Sequence, residues 1–235
     1  MKISNSLHCL ILSLPLLWLS ACSSYPHRPT AEQLHGERGA LKPSGDYIVQ
    51  AGDTLFGISW RYGLDINELA RWNRIADKDR ILAGQRLRLT PPSGVTPAKV
   101  IAPTVTSAGL PGWTWPTRGD VVQQYSANQP GRQGIRLRGQ RGQAIHAAAA
   151  GEVAYTGTGL SGFGRMVIIR HPNRVLSAYG YLDSVNVSEG QKLSRGQQIG
   201  TMGIGSQNMP TLHFETRKQG KAVNPYGYIG TTPRY

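Results

Sequence analysis

Thr211-Leu212-His213-Phe214-Glu215 decides how the second half of this 235-residue chain folds. Side chains facing opposite sides alternate through it and on to Arg217, as in a β-strand. His213, Glu215 and Arg217 therefore point to one face and Leu212, Phe214 and Thr216 to the other. Towards Trp113 the same kind of short, glycine-punctuated segment recurs: Arg141-Gly142-Gln143-Ala144-Ile145, Gly151-Glu152-Val153-Ala154-Tyr155, Met166-Val167-Ile168-Ile169 and the stretch 175–182. No long helical period interrupts them, which predicts a β-rich unit over 113–235. Arg132 and Arg136 are four apart and share a face if their segment is extended. His146 enters an alanine-rich turn and His171 ends an apolar strand. Neither belongs to a spaced ligand pair, so each is read as a scaffold or hydrogen-bonded residue.

Position by position, this half resembles the lysostaphin/LytM family of zinc peptidases, which cut peptidoglycan cross-links. The family's His-x-Gly-x-Asp frame reads here Arg132-Gln133-Gly134-Ile135-Arg136. Its Tyr-x-His-Leu reads Tyr179-Gly180-Tyr181-Leu182, and its His-x-His reads Thr211-Leu212-His213. The resemblance implies a ligand set of which only His213 remains, with Tyr181 and Thr211 in place of the catalytic histidines. A guanidinium stays protonated and carries only donors, so arginine cannot ligate a cation. Zinc in a hydrolase takes three protein ligands and a water. The expectation is a retained fold with no catalytic residue, no metal and no cofactor. What remains on that face is a groove lined by Arg132, Arg136, Tyr181, Thr211, His213 and Arg217, with the arginine and tyrosine typical of protein-binding surfaces. The plainer alternative is that the arginines are solvated charges left by drift.

Upstream, Tyr47-Ile48-Val49-Gln50-Ala51-Gly52-Asp53-Thr54-Leu55 reads as a short strand ending in a Gly-Asp-Thr turn, with Thr54 as a helix N-cap. Leu55 with Ile58, and Leu69 with Trp72, share faces at the i, i+3 spacing. This predicts two helices, one to Tyr62 and one from about Asp65 to Asn73, burying a common seam. Gly84-Gln85-Arg86-Leu87-Arg88-Leu89 closes the unit as a strand. This small βααβ unit (α+β) over 47–90 resembles a LysM domain in its Gly-Asp-Thr-Leu turn, Ile-Ser-x-x-Tyr helix, Leu-Ala-x-Trp-Asn ending and Gly-Gln-x-Leu strand. LysM modules bind glycans containing N-acetylglucosamine. The resemblance implies a site lined by Gly52, Asp53, Thr54 and Leu55 and by Ile75, Ile81 and Leu82. Leu55 and Ile81 can equally be core, and the expectation is a mixture, with loop backbone on the sugar and Leu55 structural.

Residues 1–21 carry Lys2 in a polar head and an apolar run from Leu10 to Leu19, shorter than the roughly 20 residues of a membrane span. Leu19-Ser20-Ala21-Cys22 follows, which looks like a bacterial lipoprotein signal with Cys22 acylated at the mature N-terminus. Cys9 would leave with the signal, so no internal disulfide is expected. Ser23 implies, by resemblance to enterobacterial lipoproteins, sorting to the outer membrane, facing the periplasm. Residues 22–46 and 91–112 read as proline-containing linkers. The first spans at most about 80 Å. The formal charge of +13 is concentrated in the last unit, which from Trp113 onward has 14 Lys/Arg against 5 Asp/Glu. Such a surface favours an acidic partner, such as peptidoglycan carboxylates or an acidic protein. An exported chain with no arginine-rich helix or aromatic ladder is not read as a nucleic-acid binder.

Signal, LysM unit and LytM-like unit, in that order, resemble the NlpD-type lipoproteins of the Gram-negative envelope. Trp115-Pro116-Thr117, Gly162-Phe163-Gly164 and Gly220-Lys221-Ala222-Val223-Asn224-Pro225 strengthen the match. In that family the degenerate domain binds a periplasmic N-acetylmuramoyl-L-alanine amidase and relieves its autoinhibition during daughter-cell separation. The resemblance implies three attachments: membrane through Cys22, glycan strands through the LysM unit, and an amidase through the groove. Two other readings stay open. One is a residual zinc endopeptidase resting on His213 and Glu215, and the other a lipid-to-wall tether whose last domain only adds basic affinity.

Overall fold

A computed structural model describes residues 45–96, 99–129, 131–160 and 162–233. The signal segment, Cys22 and most of the first linker lie outside the described residues. No helix among the described residues is long and apolar enough to cross a membrane.

The N-terminal unit consists of β1 (Asp46–Ile48), α1 (Leu55–Tyr62), α2 (Ile66–Trp72) and β2 (Arg86–Arg88), the two strands pairing antiparallel with Tyr47 opposite Leu87. Thr54 caps α1 as its spacing predicts, its Oγ1 accepting from the Gly57 N–H at 2.9 Å. Asp65 does the same for α2, accepting from Asn67 and Glu68. Leu55, Ile58, Leu69, Leu87 and Leu89 form the core of the unit, with Trp72 packed against it. The regular strand ends at Ile48, although Val49 still donates to the Gln85 carbonyl at 2.9 Å and accepts from Gly84 before the chain turns towards α1.

The C-terminal unit is built from β3 (Asp120–Gln123), β4 (Ile135–Arg138), β5 (Ala144–His146), β6 (Gly151–Gly157), β7 (Met166–His171), β8 (Val175–Gly180), β9 (Leu182–Val185), β10 (Lys192–Leu193), β11 (Gln198–Met202), β12 (Thr211–Lys218), β13 (Lys221–Val223) and the one-turn helix α3 (Tyr226–Ile229). The main sheet runs β10-β6-β7-β8-β12-β4-β3, with β13 beside the far half of β12; β5, β11 and β9 form a second sheet. Alternation sorts the side chains. Ile135, Leu137, Val167, Ile169, Tyr179, Leu212 and Phe214 face inward and meet Ile145, Ile199 and Met202 of the small sheet. Tyr181 takes a φ of +63°, so the single strand expected over 175–182 breaks there and its continuation joins the other sheet as β9.

The 91–112 stretch, read above as a spacer between separate units, contains no helix or strand among its described residues, yet its end is stitched down. Leu110 donates to the Tyr228 carbonyl at 2.7 Å, and Thr231 and Thr232 donate to Thr106 and Ser107. Gly109, at φ +69°, passes so close that a Cβ there would sit 2.2 Å from the Tyr228 oxygen. The two units also touch. Trp60 of α1 packs with Leu160, Met166, Ile168 and Ala178, on the outer face of the main sheet.

Candidate functional site: the outer face of the main sheet

β12 lies between β8 and the pair β4 and β13, so its outward side chains occupy the middle of the face. There they form a row. Glu215 accepts from Arg217 Nε at 2.6 Å on one oxygen and pairs with His213 Nε2 at 3.1 Å on the other. Burial alone would raise the Glu215 carboxyl, but the Arg217 guanidinium and the His213 ring outweigh it and hold the pKa down at about 2. The row continues outward, with Arg217 Nη1 donating to the Trp60 carbonyl at 2.6 Å and its guanidinium carbon 3.4 Å from the centre of the Trp60 ring.

The other expected groove residues are brought to the same neighbourhood, but the groove is shut. Arg136 stands opposite His213 in the β4–β12 register and lies 5.7 Å over the Tyr181 ring. Arg132 is exposed and Arg136 half-buried. In contrast, Thr211 (2% exposed), His213 (1%), Arg217 (4%) and Tyr181 (8%) are enclosed. The expectation of an open lining is therefore corrected for these four. Phe163, 4.6 Å from the His213 ring, covers it. The turn at Gly205 lies against Thr211, where an added Cβ would come within 2.0 Å of Thr211 Oγ1. Trp60 covers Arg217. In Gly162-Phe163-Gly164, an aromatic residue between two glycines is the sign in the sequence that this loop folds back over the sheet.

The zinc that the fold family implies does not fit these residues. His213 Nδ1 is buried with no hydrogen-bond partner and is the one atom of the old ligand frame still able to coordinate. Arg136 is the register partner of His213, and its guanidinium, lying over the Tyr181 ring, repels a cation. Among the described residues no group of three or more His, Cys, Asp and Glu is placed to hold a metal. His171 belongs to a separate, fully satisfied chain: Nδ1 meets the Ala150 carbonyl at 2.7 Å, and Nε2 meets Ser177 Oγ, itself 3.0 Å from the Tyr179 hydroxyl. His146 is half-buried, and its backbone N–H donates to the Pro116 carbonyl.

On the LysM unit, Gly52 and Thr54 are exposed, and Leu82 is 75% exposed. Ile75 and Ile81 are partly buried against the core of the unit. Leu55, at 0% exposure, is core and unavailable to a sugar. Asp53 is drawn inward, accepting from Tyr47 at 2.5 Å and from Arg61 at 3.3 Å, so its carboxylate braces the loop.

The LysM domain family model matches residues 47–90, and that of peptidase family M23 matches residues 130–225. The lipoprotein NlpD/LppB homolog of Pseudomonas aeruginosa is 32% identical over 279 residues, covering 97% of this chain and 93% of that protein. The murein hydrolase activator NlpD of Escherichia coli K12 is 41% identical over 254 residues, covering 78% of this chain and 67% of its own length. Among solved structures, Helicobacter pylori Csd3 from the hexagonal crystal is 29% identical with a TM-score of 0.46, over 53% of this chain and 34% of that one, so this chain spans about a third of it. With both domains in order and such identity across most of its length, the chain belongs to the NlpD/LppB family of lipoproteins, a LysM domain followed by an M23-type domain.

Proposed function

We propose that this chain is a non-catalytic activator of a periplasmic N-acetylmuramoyl-L-alanine amidase. It is held to the outer membrane through Cys22 and to glycan strands through its LysM unit, and it serves wall cleavage during daughter-cell separation. The observation that carries the reading is the donor chemistry of the ligand frame. Two guanidinium groups stand where an imidazole and a carboxylate would have to coordinate, and Glu215 is committed to Arg217 and His213. The names of its relatives, a murein hydrolase activator among them, point the same way. On this reading Arg132 and Arg136 make the first charged contacts with the amidase, and the exposed Gly52, Thr54 and Leu82 contact the sugar.

Activation requires differential affinity for the amidase's open state. The purified chain, mixed with candidate amidases and dye-labelled cell wall, should raise dye release, and Arg136→Ala should lower that stimulation at least several-fold without unfolding the domain. No stimulation of any candidate would overturn the reading. About one zinc per purified chain, with hydrolysis lost on chelation, would instead support the endopeptidase alternative.

A further inference from the structure

Four flat groups stack in file across the seam between the two units. Tyr155 of β6 lies 6.1 Å from Phe56 at 11° between planes, Phe56 lies 6.5 Å from Trp60 at 20°, and Trp60 lies against the Arg217 guanidinium at 3.4 Å. Phe56 and Trp60 are one helical turn apart and leave the LysM core, which Leu55 and Ile58 fill from the other side of α1. α1 lies within van der Waals reach of the sheet here, since a Cβ built on Gly57 would be 3.7 Å from Leu160. At the other end of the seam Gly220 closes a two-residue hairpin turn between β12 and β13. A Cβ on it would fall 2.1 Å from the Leu64 carbonyl carbon. The gap left between α1 and the sheet measures about 50 Å³, room for a water or two. The sequence carries an independent mark of this contact. Met166-Val167-Ile168-Ile169 is apolar without alternation, the pattern of a strand covered on both faces, and the small sheet covers only one.

From this geometry we infer that α1 is a plug. The outer face of the main sheet is a docking surface for an amphipathic helix with an aromatic residue in its last turn. Arg217 reads that residue through its ring face and through a backbone carbonyl at the helix C-terminus, where a cation is favoured. In the folded chain the occupant is α1, so an amidase helix must displace it, and the apparent affinity falls by the fraction of chains that are open. This rests on the activator reading above and adds its regulation.

The test uses the full-length chain in detergent, wild type beside the double variant Phe56→Ala/Trp60→Ala, with small-angle scattering for domain separation and amidase-driven dye release for activity. The expected result is a compact wild type, a more extended variant, and at least a tenfold lower half-maximal concentration for stimulation by the variant. Glycan pelleting should be unchanged, because the substituted residues lie outside the LysM core. Should the double variant stay compact, Leu160→Arg places a charge under α1 as a second opening variant. An extended variant that stimulates no better than wild type overturns the plug while leaving the activator reading intact, as does a wild type already extended. Stimulation by neither protein, with the opening still seen in scattering, counts instead against the activator reading and takes the regulation with it.

Discussion

Glu215 is fully enclosed, and an isolated carboxylate there would cost several kcal/mol. It stays ionised because Arg217 and His213 each take one of its oxygens. Removing it strands a buried guanidinium, so Glu215→Ala should cost about 3–5 kcal/mol in urea unfolding. The same carboxylate sets an acid limit. Its pKa is lower folded, at about 2, than the ordinary 4.5, so its contribution is present above about pH 4.5 and is lost as pH falls towards 2. The loss amounts to about 3 kcal/mol. Glu215→Gln should flatten the unfolding midpoint against pH in that window, and an unchanged slope would place the acid sensitivity elsewhere.

At the scale of the element, capping and alternation decide what forms. Thr54→Ala should lower LysM stability by about 1 kcal/mol while Thr54→Ser holds it, read by thermal denaturation followed at the helix band. These local devices were also what the sequence showed plainly. Both LysM helices, the closing strand with Leu87 and Leu89 inward, and the outward row of His213, Glu215 and Arg217 stand where period and caps place them. β4 is four residues long and alternates only twice, and β10, at two residues, is too short to carry a period. The break at Tyr181 gave no signal, since a tyrosine at φ +63° is held there by surroundings rather than by preference. Covering the groove was least legible of all, because Trp60 and Arg217 are 157 residues apart and only the tertiary fold brings them together.

For the molecule as a whole, the LysM unit is small enough to be marginal alone, and its seam with the sheet adds to its stability. Trp60→Ala should therefore lower protection from hydrogen exchange in α1 and α2 by about 2 kcal/mol, the scale of a desolvated cation–π contact. β12 should stay protected. Equal loss in both units would mean that they unfold as one body. The stitched end of the intervening segment has a kinetic corollary. With Val100 packed beside Val223 and Tyr228, Pro103 against Gly227 and 106–110 bonded to the last helix, only the leash from 91 to 99 is left for the LysM unit to swing on, at most about 30 Å long and averaging about 16 Å as a coil. A leash that short keeps α1 at a millimolar local concentration over the sheet. A partner present at micromolar levels can hold the face only by gripping it far more tightly than α1 does, or by arriving while a glycan strand is pulling the LysM unit away.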